Sequence, residues 1–146
     1  MSTVRTGSLR VILDTNVYVS SFTHPQGPPS QVWRQALHRR YTLLISPAIV
    51  TEVARVLRLK FAWNDFHIIR RIKLLTRVAE IISPTITLHI IKDDPSDDRI
   101  LECAVSGRAD LIVSGDHHLA NLKSFRGIGI IRPADLLRTF GVRTPS

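Results

Sequence analysis

The chain has 146 residues and carries 20 basic against 12 acidic side chains, a formal charge of +8; that length suits one domain whose single core needs no disulfide or structural metal. The lone Cys103 excludes an internal disulfide. No stretch reads as a signal peptide or approaches the ~20 apolar residues of a membrane span, so a soluble, cytoplasmic protein without membrane contact is expected.

The positive balance points to polyanionic partners, nucleic acid first. Residues 1–9 read as a flexible tail, 10–141 as one domain and 142–146 as a second tail. Val11-Ile12-Leu13 is a continuously apolar run that stops at Asp14, followed by Thr15 and Asn16. Such a run fits a strand buried on both faces of a parallel sheet. Ligands of open α/β sheets bind just past the carboxyl ends of such strands, although an Asp there also serves as an ordinary turn or cap residue.

After the partly apolar Val17 to Phe22 and a proline-rich loop, the spacing predicts a helix from about Gln31 to Arg39, capped by Ser30. Tyr41 to Ile45 reads as a strand. Ser46 as N-cap and Pro47 at the first helical position open a helix that runs through Leu57. Its inward stripe is Ile49, Val53, Val56, Leu57 and Lys60, and Glu52 falls on that face. Asn64 or Asp65 caps a helix over Phe66 to Ile82. There Ile69, Ile72, Leu75 and Val78 alternate with the basic Arg70, Arg71, Lys73 and Arg77.

Ser83-Pro84 breaks that helix, and Thr85 to Ile91 reads as a third strand. Four of the twelve acids then fall within six positions, Asp93, Asp94, Asp97 and Asp98. Asp94 before Pro95 reads as an N-cap, with Asp97 as the return partner of a capping box. Asp98 lies three residues before Leu101 and seven before Val105, so it is the acid of this cluster assigned to chemistry. Gly107 ends the helix. Asp110 to Asp116 repeats the opening pattern of apolar run, small turn and acid; Asn121 to Arg126 is a polar stretch, Ile128 to Ile131 a last strand and Pro133 to Phe140 a closing helix. Strands alternating with helices imply a parallel sheet with right-handed crossovers and helices on both faces.

Asp14, Glu52, Asp98 and Asp116 remain when acids with local duties are set aside. Four carboxylates at one sheet rim repel one another unless a divalent cation neutralises them, and an all-oxygen set suits Mg²⁺ or Mn²⁺ better than Zn²⁺. His117-His118 reads as a substrate contact or solvated loop, since a transition-metal site wants more His or Cys. Cys103 reads as a small core residue. Asp97 and Glu102 are reserve candidates for a supporting or metal role. An aspartyl phosphatase would carry an acid where Asn16 stands, and a dinucleotide fold would carry Gly-x-Gly-x-x-Gly.

Leu13 to Val17, Ser46-Pro47 through Glu52-Val53, Asp94 to Ala104, Ala109 to Asp116 and Leu119 to Leu137 together resemble a PIN-domain nuclease, of the VapC-like kind known as toxins of toxin–antitoxin systems. The resemblance implies a three-layer α/β/α fold with a parallel sheet of strand order 3-2-1-4-5. It also implies Mg²⁺- or Mn²⁺-dependent hydrolysis of RNA by in-line water attack. Asp14, Glu52, Asp98 and Asp116 match the metal ligands; Asn16 and Ser114 match polar positions that hold the acids and the water, with Thr15 a weaker match. Its implied partners are RNA, a small antitoxin protein and a second copy of the chain. The basic helices, with Arg39, Arg40, Arg55, Arg58, Arg70, Arg71 and Arg77, would hold the RNA backbone. The competing non-enzymatic reading is an RNA- or protein-binding module that keeps the fold without turnover.

Overall fold

The computed structural model describes residues 8–91 and 95–143. Its spine is β1, Arg10–Leu13, flanked in parallel by β2, Thr42–Ile45, and β4, Leu111–Val113, with Val11 opposite both Leu43 and Leu111. Val11, Ile12, Leu13, Leu44, Ile45, Ile112 and Val113 are fully buried. Each contributes about 1.5–3 kcal/mol by leaving water. That burial on both faces is why these strands read as unbroken apolar runs instead of alternating ones.

β3, Glu80–Ile81, extends the sheet beyond β2, and β6, Ile128–Ile131, extends it beyond β4, both in parallel. β5, Ser124–Phe125, runs antiparallel to β6, so the order is β3-β2-β1-β4-β6-β5. This is the expected 3-2-1-4-5 order with one antiparallel edge strand added, drawn from the polar stretch before Gly127. Phe125 pairs with Ile128 across a two-residue loop, Arg126-Gly127, whose φ values of 51° and 82° are both left-handed. Two positive φ angles match the hairpin turn whose twist suits adjacent strands, and glycine takes one of them without strain.

Seven helices are described: α1 Thr15–Thr23, α2 Pro28–Leu37, α3 Pro47–Phe61, α4 Asp65–Val78, α5 Pro95–Ser106, α6 His117–Ala120 and α7 Pro133–Thr139. Two caps form as the sequence predicts. Ser46 Oγ accepts the Ile49 N–H, and Asn64 Oδ1 accepts the His67 N–H at 2.9 Å. The expected cap at Asp94 lies outside the described residues. Among the described residues, no helix is long and apolar enough to cross a membrane.

Several boundaries differ from the predicted ones. The segment after Asp14 is helical, and its Phe22 packs edge-on against Trp33 of α2 with centroids 5.3 Å apart. α2 starts at Pro28 with Gly27 as its cap, because Pro28 and Pro29 lack the N–H groups a first turn leaves unpaired; Ser30 is buried within that turn. Lys60 is exposed, and the buried stripe of α3 ends at Leu57. α4 buries Ile68 and Leu75 while Ile69 is 51% exposed, and it stops at Val78 so that Glu80 and Ile81 can pair with β2. Thr85 to Ile91 is not a strand. Amides of that segment bond to carboxylates of α5 instead, Leu88 N–H to Glu102 at 2.8 Å and Ile90 and Ile91 N–H to Asp98 at 2.9 Å.

Candidate active site

Asp14 follows the last residue of β1, and its N–H donates to Val113 O at 2.9 Å, which locks it beside the end of β4. Its side chain is 3% exposed and leaves the α1 cap unmade; Oδ2 instead accepts from Ser114 Oγ at 2.7 Å. Ser114 is fully buried, held by its N–H on Ile131 O, and its Oγ also accepts the N–H of Asp116 at 2.9 Å. Asp116 caps α6, with Oδ1 accepting the His118 N–H at 2.7 Å. One hydroxyl thus links the acids that end two adjacent strands.

From α5, Asp97 is 3% exposed and joins Asp116 and His118 in a group whose donor atoms all lie within 4.8 Å of one another. Asp98, equally buried, stands outside that group and uses Oδ1 to accept from both Ile90 and Ile91. One turn on, Glu102 accepts from Leu88 N–H and pairs with Arg99 at 2.8 Å, and Arg99 in turn donates to Leu88 O. Asp98, Arg99 and Glu102 therefore fasten the 88–91 segment to α5.

A family model described as PIN domain matches residues 10–118. The chain belongs to the PIN domain family. Its sequence is 26% identical over 120 residues to the uncharacterized protein MJ1680 of Methanocaldococcus jannaschii, covering 79% of this chain and 76% of that relative. Two solved structures share the fold. VapBC2 of Rickettsia felis, bound to a DNA fragment from its promoter, superposes with a TM-score of 0.59 at 14% identity, over 85% of this chain and 98% of that one. PAE2754 of Pyrobaculum aerophilum gives 0.55 at 13% identity, over 93% and 97%.

In this PIN domain, Asn16 is exposed in the first turn of α1 and Thr15 is buried beside Asp14. Glu52 is half-buried on α3 and held by Arg55 at 3.1 Å; Arg55 is itself 58% exposed. The structure thus joins Asp14, Ser114 and Asp116, brings Asp97 against Asp116, and leaves Glu52 and Asp98 outside the close group. The sequence contains a signal for Asp97 that the capping pattern masked. Positions 97, 101 and 104 share a helix face as regularly as 98, 101 and 105, and Leu101 and Ala104 are fully buried. Cys103 is buried in the core, which pushes its thiol up to about 12.

A second feature is a groove of about 490 Å³ along α4, lined by Trp63, Leu74 and the basic His67, Arg70, Arg71, Lys73 and Arg77. Arg71 is braced over Phe22 at 4.9 Å and over Trp63 at 5.9 Å. Arg70, Lys73 and Arg77 make no ion pair among the described residues, so their charge is not offset locally.

Proposed function

We propose that this PIN domain is a divalent-metal-dependent endoribonuclease that acts in the cytoplasm as the toxin of a toxin–antitoxin pair. The observation that carries the proposal is the approach of the Asp97 and Asp116 carboxylates to one another, with Asp14 held next to them by a Ser114 hydroxyl that also accepts the Asp116 backbone N–H. The donor chemistry fits the ion. The buried Asp97 and half-buried Asp116 carboxylates lie close enough to repel unless a cation sits between them, and hard oxygen donors suit Mg²⁺ or Mn²⁺.

Asp14, Asp97 and Asp116 hold the ion in this proposal, so Asp97 takes the place that the sequence pattern assigned to Asp98. Glu52 joins them by releasing Arg55, a cheap exchange because exposed ion pairs stabilise by less than about 1 kcal/mol. Ser114 fixes the two strand-end acids, and Asn16, exposed beside Asp14, steadies the attacking water or the phosphate. Such an ion, when bound, acidifies water and withdraws charge from the phosphoryl oxygens. The groove on α4 takes the RNA backbone, and single-stranded RNA bends most readily into a narrow acidic cleft. A small antitoxin protein that covers the acids and a second copy of the chain are the further proposed partners; the fold shared with VapBC2 supports the first.

The test is cleavage of a panel of single-stranded and structured RNAs with Mg²⁺, Mn²⁺ or EDTA, alongside Asp14→Asn and Asp116→Asn. Metal-dependent cutting should fall by at least about 100-fold in both variants, beyond what outer-sphere changes cause. Equal inactivity of all three proteins with RNA binding retained would make the chain a binding module. Cutting that survives both substitutions would place the site elsewhere.

A further inference from the structure

His118 lies two residues after Asp116, in the turn that Asp116 caps. Its Nδ1 stands 3.4 Å from Asp116 Oδ1 and 3.9 Å from Asp97 Oδ2, closed to solvent and without a hydrogen-bond partner. Neither distance is that of a good hydrogen bond, and a buried polar atom left without one is costly. The ring is held in place from two sides. The residue's own N–H is tied to Asp116 Oδ1 at 2.7 Å, and the His117 ring packs against it with centroids 4.2 Å apart.

These spacings have a simple origin if all three atoms serve one ion. Donors about 2.1 Å from a shared octahedral cation stand about 3 Å apart at right angles and about 4.2 Å apart across it. The two distances measured from Nδ1, 3.4 and 3.9 Å, lie within about 0.4 Å of the right-angle and the opposite spacing respectively. We infer that His118 Nδ1 completes the divalent-cation site of Asp97 and Asp116, making it a mixed nitrogen–oxygen set that prefers Mn²⁺ to Mg²⁺.

The inference rests on the proposed metal centre and deepens it by naming a ligand and the ion it selects. Mg²⁺ demands oxygen donors and keeps its waters, whereas imidazole suits transition metals. Ligation by Nδ1 requires the tautomer with its proton on Nε2. His117 supplies the internal control, because it shares the helix and ring type yet does not enter the close group.

The decisive measurement is electron spin-echo modulation of Mn²⁺ bound to the purified full chain. Expected is a ¹⁴N coupling of directly bound imidazole that persists in His117→Gln and disappears in His118→Gln. Mn²⁺ affinity should fall at least about tenfold in His118→Gln, while Mg²⁺ affinity, measured by competition, changes by less than about threefold. Bound Mn²⁺ without nitrogen coupling, or coupling that survives His118→Gln, would overturn the inference and leave the acid site standing. Failure to bind Mn²⁺ at millimolar concentration would overturn both. Should His118→Gln not fold, the wild-type and His117→Gln spectra still decide, since nitrogen coupling must appear in both.

Discussion

Ser114 Oγ donates to Asp14 Oδ2 over 2.7 Å while accepting the Asp116 N–H at 2.9 Å, so a single buried hydroxyl ties the end of β1 to the turn after β4. Ser114→Ala leaves a carboxylate oxygen and an amide without this partner. It should lower stability by about 1–3 kcal/mol and RNA cleavage by about 10–100-fold. Calorimetric melting and initial cleavage rates check the two effects; unchanged rates would mean that the acids hold their positions without the hydroxyl.

Asp97 and Asp98 are sequence neighbours with different partners. Asp98→Ala releases the Ile90 and Ile91 amides, so hydrogen exchange at those two positions should speed up markedly. Asp97→Asn should leave that protection intact and weaken Mn²⁺ binding. Amide exchange followed residue by residue, with metal titration of both variants, separates the two roles; the reverse pattern would exchange them.

Along α4, Lys73 and Arg77 line the basic groove, and neither makes an ion pair among the described residues. Lys73→Gln with Arg77→Gln should weaken RNA binding and reduce the slope of log K against log salt by about 1.4 on single-stranded RNA, about 0.7 for each phosphate that no longer meets a cationic side chain. Stability should change by less than about 0.5 kcal/mol, because the sites are exposed. Filter binding from low to physiological salt gives the slope; an unchanged slope would move the RNA path away from α4.

Arg10 clasps Glu80 through two hydrogen bonds of 3.0 Å, joining β1 to the edge strand β3. Hydrogen bonding by Arg10 first, then its charge, holds the Glu80 carboxyl below its ordinary value against the opposing effect of burial. A lowered folded value means that the stabilisation is complete above the unfolded pKa, about 4.3, and is lost as pH falls through the folded one. The Glu80 side chain is 48% exposed, so Glu80→Gln should cost less than about 1 kcal/mol at neutral pH. Urea unfolding at pH 7 and near pH 3 should show that difference shrinking towards zero in acid.

Local chemistry alone determined much of this molecule. The apolar runs of β1, β2 and β4 announce strands buried on both faces. Ser46-Pro47 and Asn64 announce helix starts, and Asp14 and Asp116 are visible as acids that end two such strands. Each of these signals is carried by residues within a few positions of one another, where periodicity and capping apply.

Only the tertiary structure decided which acid of α5 approaches Asp116, where His118 Nδ1 points, and what 85–91 bonds to. Neighbouring helix residues point about 100° apart, so two equally regular stripes run through Asp97 and Asp98, and only the packing of α5 against α3, β1 and β2 chooses between them. The threonine- and isoleucine-rich 85–91 segment has strand propensity but no described strand pairing, and its backbone donors turn to Asp98 and Glu102. Propensity is a property of the segment; hydrogen-bond partners are set by what the rest of the fold brings beside it.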